Sequence, residues 1–131
     1  MAQLMALFIT ASTQFALPAG LLSSLCYVES SHKINAIHKD DGRGNSVGVC
    51  QIKIETAQWL GFSGTEVQLM DPAVNIYYSA KYLAYQRNRY HSIEKAVIAY
   101  NIGHAGDLTS TKYSVKVFKQ WRQDVRASSK K

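Results

Sequence analysis

Of the nine acidic residues in the chain, Glu29 stands where a carboxylate is least easily solvated. Leu22, Leu25, Cys26 and Glu29 fall at i, i+3, i+4 and i+7, so Glu29 continues an apolar stripe on one face of a helix. A carboxyl group placed there loses water, which raises its pKa. One that keeps its proton near neutrality can act as a general acid. The competing reading pairs Glu29 with a lysine, or turns it to solvent at the helix end. Other reactive groups give weaker signals. His32, His38, His91 and His104 carry no motif that would make a nucleophilic pair with a cysteine, and they are not spaced as zinc ligands. The carboxylates around Asp40 do not fit a calcium loop. No metal and no cofactor are expected.

The elements that must hold Glu29 can be read from punctuation and period. Pro18 is read as opening a helix that runs to Ser30. The polar run from His32 to Ser46 reads as an extended loop with a tight turn or hairpin at Asp40 to Gly44, and Val47 to Ile54 as one or two strands. A short helix is expected over 55–60, closed by Gly61 in a left-handed conformation. Asp71 followed by Pro72 marks a helix start, and that helix reaches about Arg89 with Ile76, Ala80, Leu83 and Ala84 inward. Ser92 caps the next helix, in which Ile93, Ala96, Val97 and Tyr100 share a face and which Gly103 ends. A last helix over 113–126 turns Val117 and Trp121 inward. At the start, Leu4 to Ile9 could pass for an export signal, but no Lys or Arg precedes it, and the spacing of Leu4, Leu7, Phe8 and Ala11 suits an amphipathic helix of the domain itself. The expectation is six helices and a small β element: an α+β fold, mostly helical, in one domain spanning 1–131.

Composition bounds the partners. The 131 residues are 47% hydrophobic and 18% charged, which fits one globular core and excludes a disordered chain. Fifteen Lys and Arg against nine Asp and Glu leave a net charge of +6. Such an excess suits an anionic partner. It concentrates at the C-terminal end, in Lys112, Lys116, Lys119, Arg122, Arg126, Lys130 and Lys131 against Asp124 alone. This is either a solvated helix surface or a stripe that steers the protein to an acidic polymer. No nucleic-acid-binding signature accompanies the charge, and no nucleic-acid partner is expected.

Four motifs in order sharpen this. Glu29-Ser30 ends a helix, Gly48 to Gln51 forms a Gly-x-x-Gln segment, Asp71 to Ile76 reads Asp-Pro-x-x-Asn-Ile, and Ala99 to Gly103 reads Ala-Tyr-Asn-x-Gly. Over roughly Leu4 to Trp121 the series resembles the catalytic domain of soluble lytic transglycosylases, in the lysozyme-like superfamily. The resemblance implies a lysozyme-like domain with a small β-sheet or hairpin. It also implies cleavage of the β-1,4 bond between N-acetylmuramic acid and N-acetylglucosamine in peptidoglycan. Glu29 would be the sole acid and base, protonating the glycosidic oxygen and then taking the proton of the muramyl 6-hydroxyl as a 1,6-anhydro ring closes. Among the substrate-binding positions it implies, Gln51 would bind sugar without adding charge, Tyr100 would orient the carboxyl through its hydroxyl, and Gly48 would let backbone approach the sugar. Asn101 would bind sugar or hold its helix end, Ser30 would contact substrate or fix the local backbone, and Tyr113 corresponds to a tyrosine opening the last helix of the family.

The sequence also departs from the family. Cys50 stands where methionine usually precedes the glutamine, and Ile54 where proline often follows, so the shape of the sugar subsite is altered. Asp40-Asp41-Gly42 lengthens the loop after Glu29. In goose-type lysozymes, aspartates beyond the catalytic helix position a hydrolytic water, so a muramidase using Asp40 or Asp41 is the alternative enzyme. A non-catalytic wall-binding module is the alternative outside enzymes. In the implied fold Cys26 and Cys50 both approach the cleft. Two buried thiols behaving as small apolar residues are expected, with a bond between them as the alternative. The resemblance implies action in the periplasm or cell wall, and a monomer is the expectation. With no leader read in the sequence, delivery by a virion, a secretion apparatus or another envelope-spanning assembly fits.

Overall fold

The computed structural model describes residues 2–39 and 44–129. Its elements, in chain order, are α1 (Ala2–Gln14), α2 (Leu21–Ser30), β1 (Ile37–His38), β2 (Ser46–Val47), β3 (Ile52–Lys53), α3 (Ile54–Trp59), α4 (Glu66–Leu69), α5 (Pro72–Tyr90), α6 (Ile93–Ile102) and α7 (Lys112–Ser129). The arrangement is α+β and mostly helical, as read from the sequence.

Helix α5 starts where the sequence says it should. The Asp71 carboxylate accepts from the Val74 amide at 3.2 Å, and Pro72 occupies the first turn. Ser92 caps α6 on the Lys95 amide at 3.1 Å, and Gly103 ends it at φ 89°. Helices α1 and α6 pack on α5, and α7 packs on α2. Their apolar faces meet in one core, where Leu21, Leu22 and Leu25 of α2, Ile76 and Leu83 of α5, Val97 of α6 and Val117 of α7 are fully buried. Each such aliphatic side chain stabilises the fold by about 1.5–3 kcal/mol on burial. Leu4, Phe8 and Ala11 of α1 join the same core, so the N-terminal stripe is structural.

A second, smaller cluster of Val47, Ile52, Ala57 and Leu69 lies beneath the sheet. The sheet is antiparallel in the order β1-β2-β3, with Ile37 opposite Val47 and Ser46 opposite Lys53. Strands of two residues have little stability of their own, and side chains from the helices hold this sheet, as described below.

Four expectations are corrected. Pro18 does not open α2: Gly20, at φ 82°, stands between it and the first helical residue, Leu21. The described residues hold seven helices and not six, because α4 follows a capping box in which Thr65 and Gln68 exchange side-chain and backbone bonds at 3.1 and 2.8 Å. The sheet has a third strand, β1, inside the run read as loop. Cys26 and Cys50 are not thiols; they form a disulfide across 24 residues, with both cysteines fully buried. The proposed turn at Asp40 to Gly44 falls largely outside the described residues, as do Asp40 and Asp41 themselves.

Candidate active site

Glu29 lies one residue before the end of α2, and the backbone turns sharply just beyond it. Ser31 and His32 are both left-handed, at φ 57° and 61°, a conformation that bulky residues adopt only when their surroundings enforce it. The Ser31 amide donates to the Tyr27 carbonyl at 2.7 Å. The His32 ring packs against Phe8 and Tyr27, with its Nε2 2.8 Å from the Ser23 carbonyl oxygen. The chain thus leaves the helix directly after Ser30, and Glu29 lines a cleft.

Opposite stands the turn from Gly48 to Gln51, whose peptide groups are bonded from three helices. Ser30 of α2 donates its hydroxyl to the Val49 carbonyl at 2.6 Å. Asn75 of α5, fully buried, accepts from the Cys50 amide and donates to the Val47 and Leu69 carbonyls, all at 2.9 Å. Tyr100 of α6 donates to the Cys50 carbonyl at 2.7 Å, and the disulfide joins the same residue to α2. Gln51, itself left-handed at φ 55°, donates its side-chain amide to the Ala36 and Gly48 carbonyls at 3.0 Å each. Neither bond uses its Oε1. Satisfying the buried peptide groups in this way fixes the turn, since each unpaired one would cost about 1–3 kcal/mol.

These contacts bear on four of the sequence-derived roles. Tyr100 does not orient the carboxyl, because its hydroxyl is spent on Cys50. Tyr113 at the start of α7 does so, donating to Glu29 Oε2 at 2.6 Å. Gly48, at φ 82°, makes room for Asn75, whose amide group a Cβ would strike, so its missing side chain serves the turn. Ser30 holds backbone with its hydroxyl, the second of its two readings.

The cleft has a volume of about 430 Å³, within the range of small-molecule sites. Glu29, Gln51, Tyr100 and Asn101 line it, while Ser30, Gly48 and Tyr113 are not among its lining residues. Ser46, Lys53, Thr56 and Tyr82 also line it, and sequence reasoning missed them. Tyr82 had a signal: it lies seven residues after Asn75, on the same face of α5, and its ring meets that of Tyr100 at 5.4 Å. Thr56 and Ser46 had none, since their place depends on how the short strands fold back.

Burial raises the Glu29 pKa from the ordinary 4.5 to about 7, against the hydrogen bond from Tyr113, which lowers it. Burial, followed by the nearby Glu29 charge, pushes the phenols of Tyr100 and Tyr113 well above their usual range. Both therefore remain donors at any pH where Glu29 titrates. The arrangement offers a carboxyl group protonated near neutrality, a fixed donor behind it, and polar groups of Gln51 and Asn101 beside it. Among the described residues that line the cleft, Glu29 is the one carboxylate.

Comparison with known proteins agrees in extent with this architecture. The family model described as Transglycosylase SLT domain matches residues 6–122, from α1 into α7. No curated protein matches the chain.

Proposed function

The chain belongs to the transglycosylase SLT domain family, and on that premise we propose that it cleaves the β-1,4 bond between N-acetylmuramic acid and N-acetylglucosamine of peptidoglycan with Glu29 as both acid and base. A lytic-transglycosylase type of action on peptidoglycan goes with the family and its lysozyme-like fold. The finer chemistry is our reading, and one observation supports it: among the described residues that line the cleft there is one carboxyl, whose pKa is raised to about 7 and whose position is held by Tyr113. Hydrolytic glycosidases set two carboxylates about the scissile bond. A single group suffices where the nucleophile comes from the substrate. Protonated Glu29 gives its proton to the departing glycosidic oxygen, and the bond from that oxygen to the muramyl C1 breaks. The carboxylate then removes the proton of the 6-hydroxyl, whose oxygen bonds to C1 and closes the anhydro ring. A pKa near neutrality serves both steps.

Gln51 and Asn101 are read as sugar contacts, through the unused Gln51 Oε1 and the exposed Asn101 amide. Our reading puts the work in the periplasm or cell wall; the Cys26–Cys50 disulfide supports this, because oxidising compartments preserve such bonds.

Mass spectrometry of purified sacculi after digestion tests the reading. Muramyl ends lighter by one water than hydrolysis products, and absent with Glu29→Gln, are the expected result. Reducing muramyl ends would replace it with hydrolysis, and wall binding without any released fragment would leave a non-catalytic module.

A further inference from the structure

A strand of peptidoglycan is far longer than a 430 Å³ cleft, so its sugars must leave over the protein surface. The walls of the cleft point to where. Thr56 of α3 and Tyr82 of α5 line it. One helical turn further along the same faces stand Trp59, three residues after Thr56, and Tyr85, three residues after Tyr82. These two side chains meet edge to face, ring centroids 4.8 Å apart at 82°. Trp59 is nonetheless 63% exposed and Tyr85 39%. A tryptophan ordered by a neighbouring ring yet left open to water offers a preformed apolar face to a ligand. Its position is pinned from below, because Lys81 of α5 donates to the carbonyl of Leu60, the residue after Trp59, at 2.8 Å.

We propose that Trp59 and Tyr85 form a further sugar subsite, an aromatic platform on which a pyranose ring of the strand stacks after it leaves the cleft. This rests on the reading of the cleft as a glycan site and extends it. The chemistry fits: the axial C–H face of a pyranose is apolar and packs on an aromatic ring, while its hydroxyl edges stay in water. The size fits a sugar better than a protein partner. Two aromatic side chains supply at most about 300–500 Å², well below the roughly 800 Å² per partner of a stable protein interface. Continuity with the cleft, through Thr56 and Tyr82, selects the glycan proposed to bind there.

Two measurements test it. The first compares kcat/KM on peptide-free glycan strands many sugars long with kcat/KM on a tetrasaccharide of the same glycan. In Trp59→Ala the long-to-short ratio should fall about tenfold, the loss of one ring-stacking contact, mainly through KM, and Trp59→Phe should restore most of it. The second follows fluorescence in Glu29→Gln, which binds without turnover. Titration with long strands should give a change that is missing when Trp59→Phe is added, which separates Trp59 from Trp121. An enzyme that cleaves glycan with an unmoved ratio and a silent Trp59 overturns the platform and leaves the proposed function standing. A protein that cleaves no glycan but shows the Trp59 signal supports the platform and sinks the proposed reaction. A protein that neither cleaves glycan nor shows the Trp59 signal removes both.

Discussion

At the residue scale the site turns on a proton shared between burial and one phenol. The Tyr113 hydroxyl favours the charged form of Glu29, so Tyr113→Phe should push the Glu29 pKa above 7 by roughly half a unit to one unit, the value of one net hydrogen bond. The alkaline limb of the kcat/KM profile should move up by that amount. A limb that stays in place or moves down would show that Tyr113 does not set the acidity. Stability carries the same signature with opposite consequence. Unfolded Glu29 ionises near 4.5 and folded Glu29 near 7, so the native state holds the extra proton between those values. Its contribution is fully present below pH 4.5 and is lost as pH rises to 7, by at most about 3 kcal/mol. Glu29→Gln should be more stable than wild type at pH 8 and no more stable at pH 4. Urea midpoints at the two pH values check the sign. Glu29 itself was legible because its spacing sets a carboxylate in an apolar stripe. The exchange of roles between Tyr100 and Tyr113 was not, because which of two phenols, both remote in sequence, reaches the carboxyl depends on how α6 and α7 settle against α2.

At the element scale the helices were legible and the turn that faces Glu29 was not. Asp71-Pro72, Ser92 and Gly103 are local signals, and the long helices announce themselves by period and caps. The strands are two residues each and have no period to read. Thr65 and Gln68 carried a capping signature, but the four residues of α4 are too few to give the apolar repeat that draws attention to a helix. The Gly48 to Gln51 turn is built from long-range contacts, so the sequence showed its residues without their purpose. Asn75 belonged to a motif, and only the fold gives it the Cys50 amide and two carbonyls. Gly48→Ala should therefore be costly, because a Cβ would displace Asn75 on top of the strain of a positive φ. The expected loss is about 3 kcal/mol or more. Gly61→Ala is the control: it also has a positive φ, but nothing lies within 4 Å of the added atom, so backbone strain alone applies, about 1–2 kcal/mol. Equal losses from denaturant midpoints would remove Asn75 as the reason for the glycine.

At the scale of the whole molecule, charge and cross-link act apart from the site. Lys112, Lys116, Lys119, Arg122 and Arg126 are all exposed on α7, away from the face that packs on α2. If the stripe guides the protein to acidic wall polymer, sedimentation with sacculi should weaken as salt rises and screens it. Sedimentation that is the same at low and high salt would reduce the stripe to a solvated surface. The disulfide has a different reach. By closing a 24-residue loop it restricts the unfolded chain, which stabilises the native state by about 3 kcal/mol in the loop-entropy account. Yet the turn it touches is also held by Ser30, Asn75 and Tyr100, which need no sulfur. Replacing both Cys26 and Cys50 by Ala should thus lower the unfolding free energy, read from urea denaturation, by that amount while kcat at 25 °C stays within about threefold, because the clamps still fix Cα positions around Gln51. Since both cysteines are fully buried, reductant should reach the bond in the native protein only through unfolding, and the rate of reduction should climb with urea as opening becomes easier. A double variant as stable as wild type would refute the cross-link's contribution. A stable fold with activity lost would show that the bond, and not the three polar clamps, positions the turn opposite Glu29.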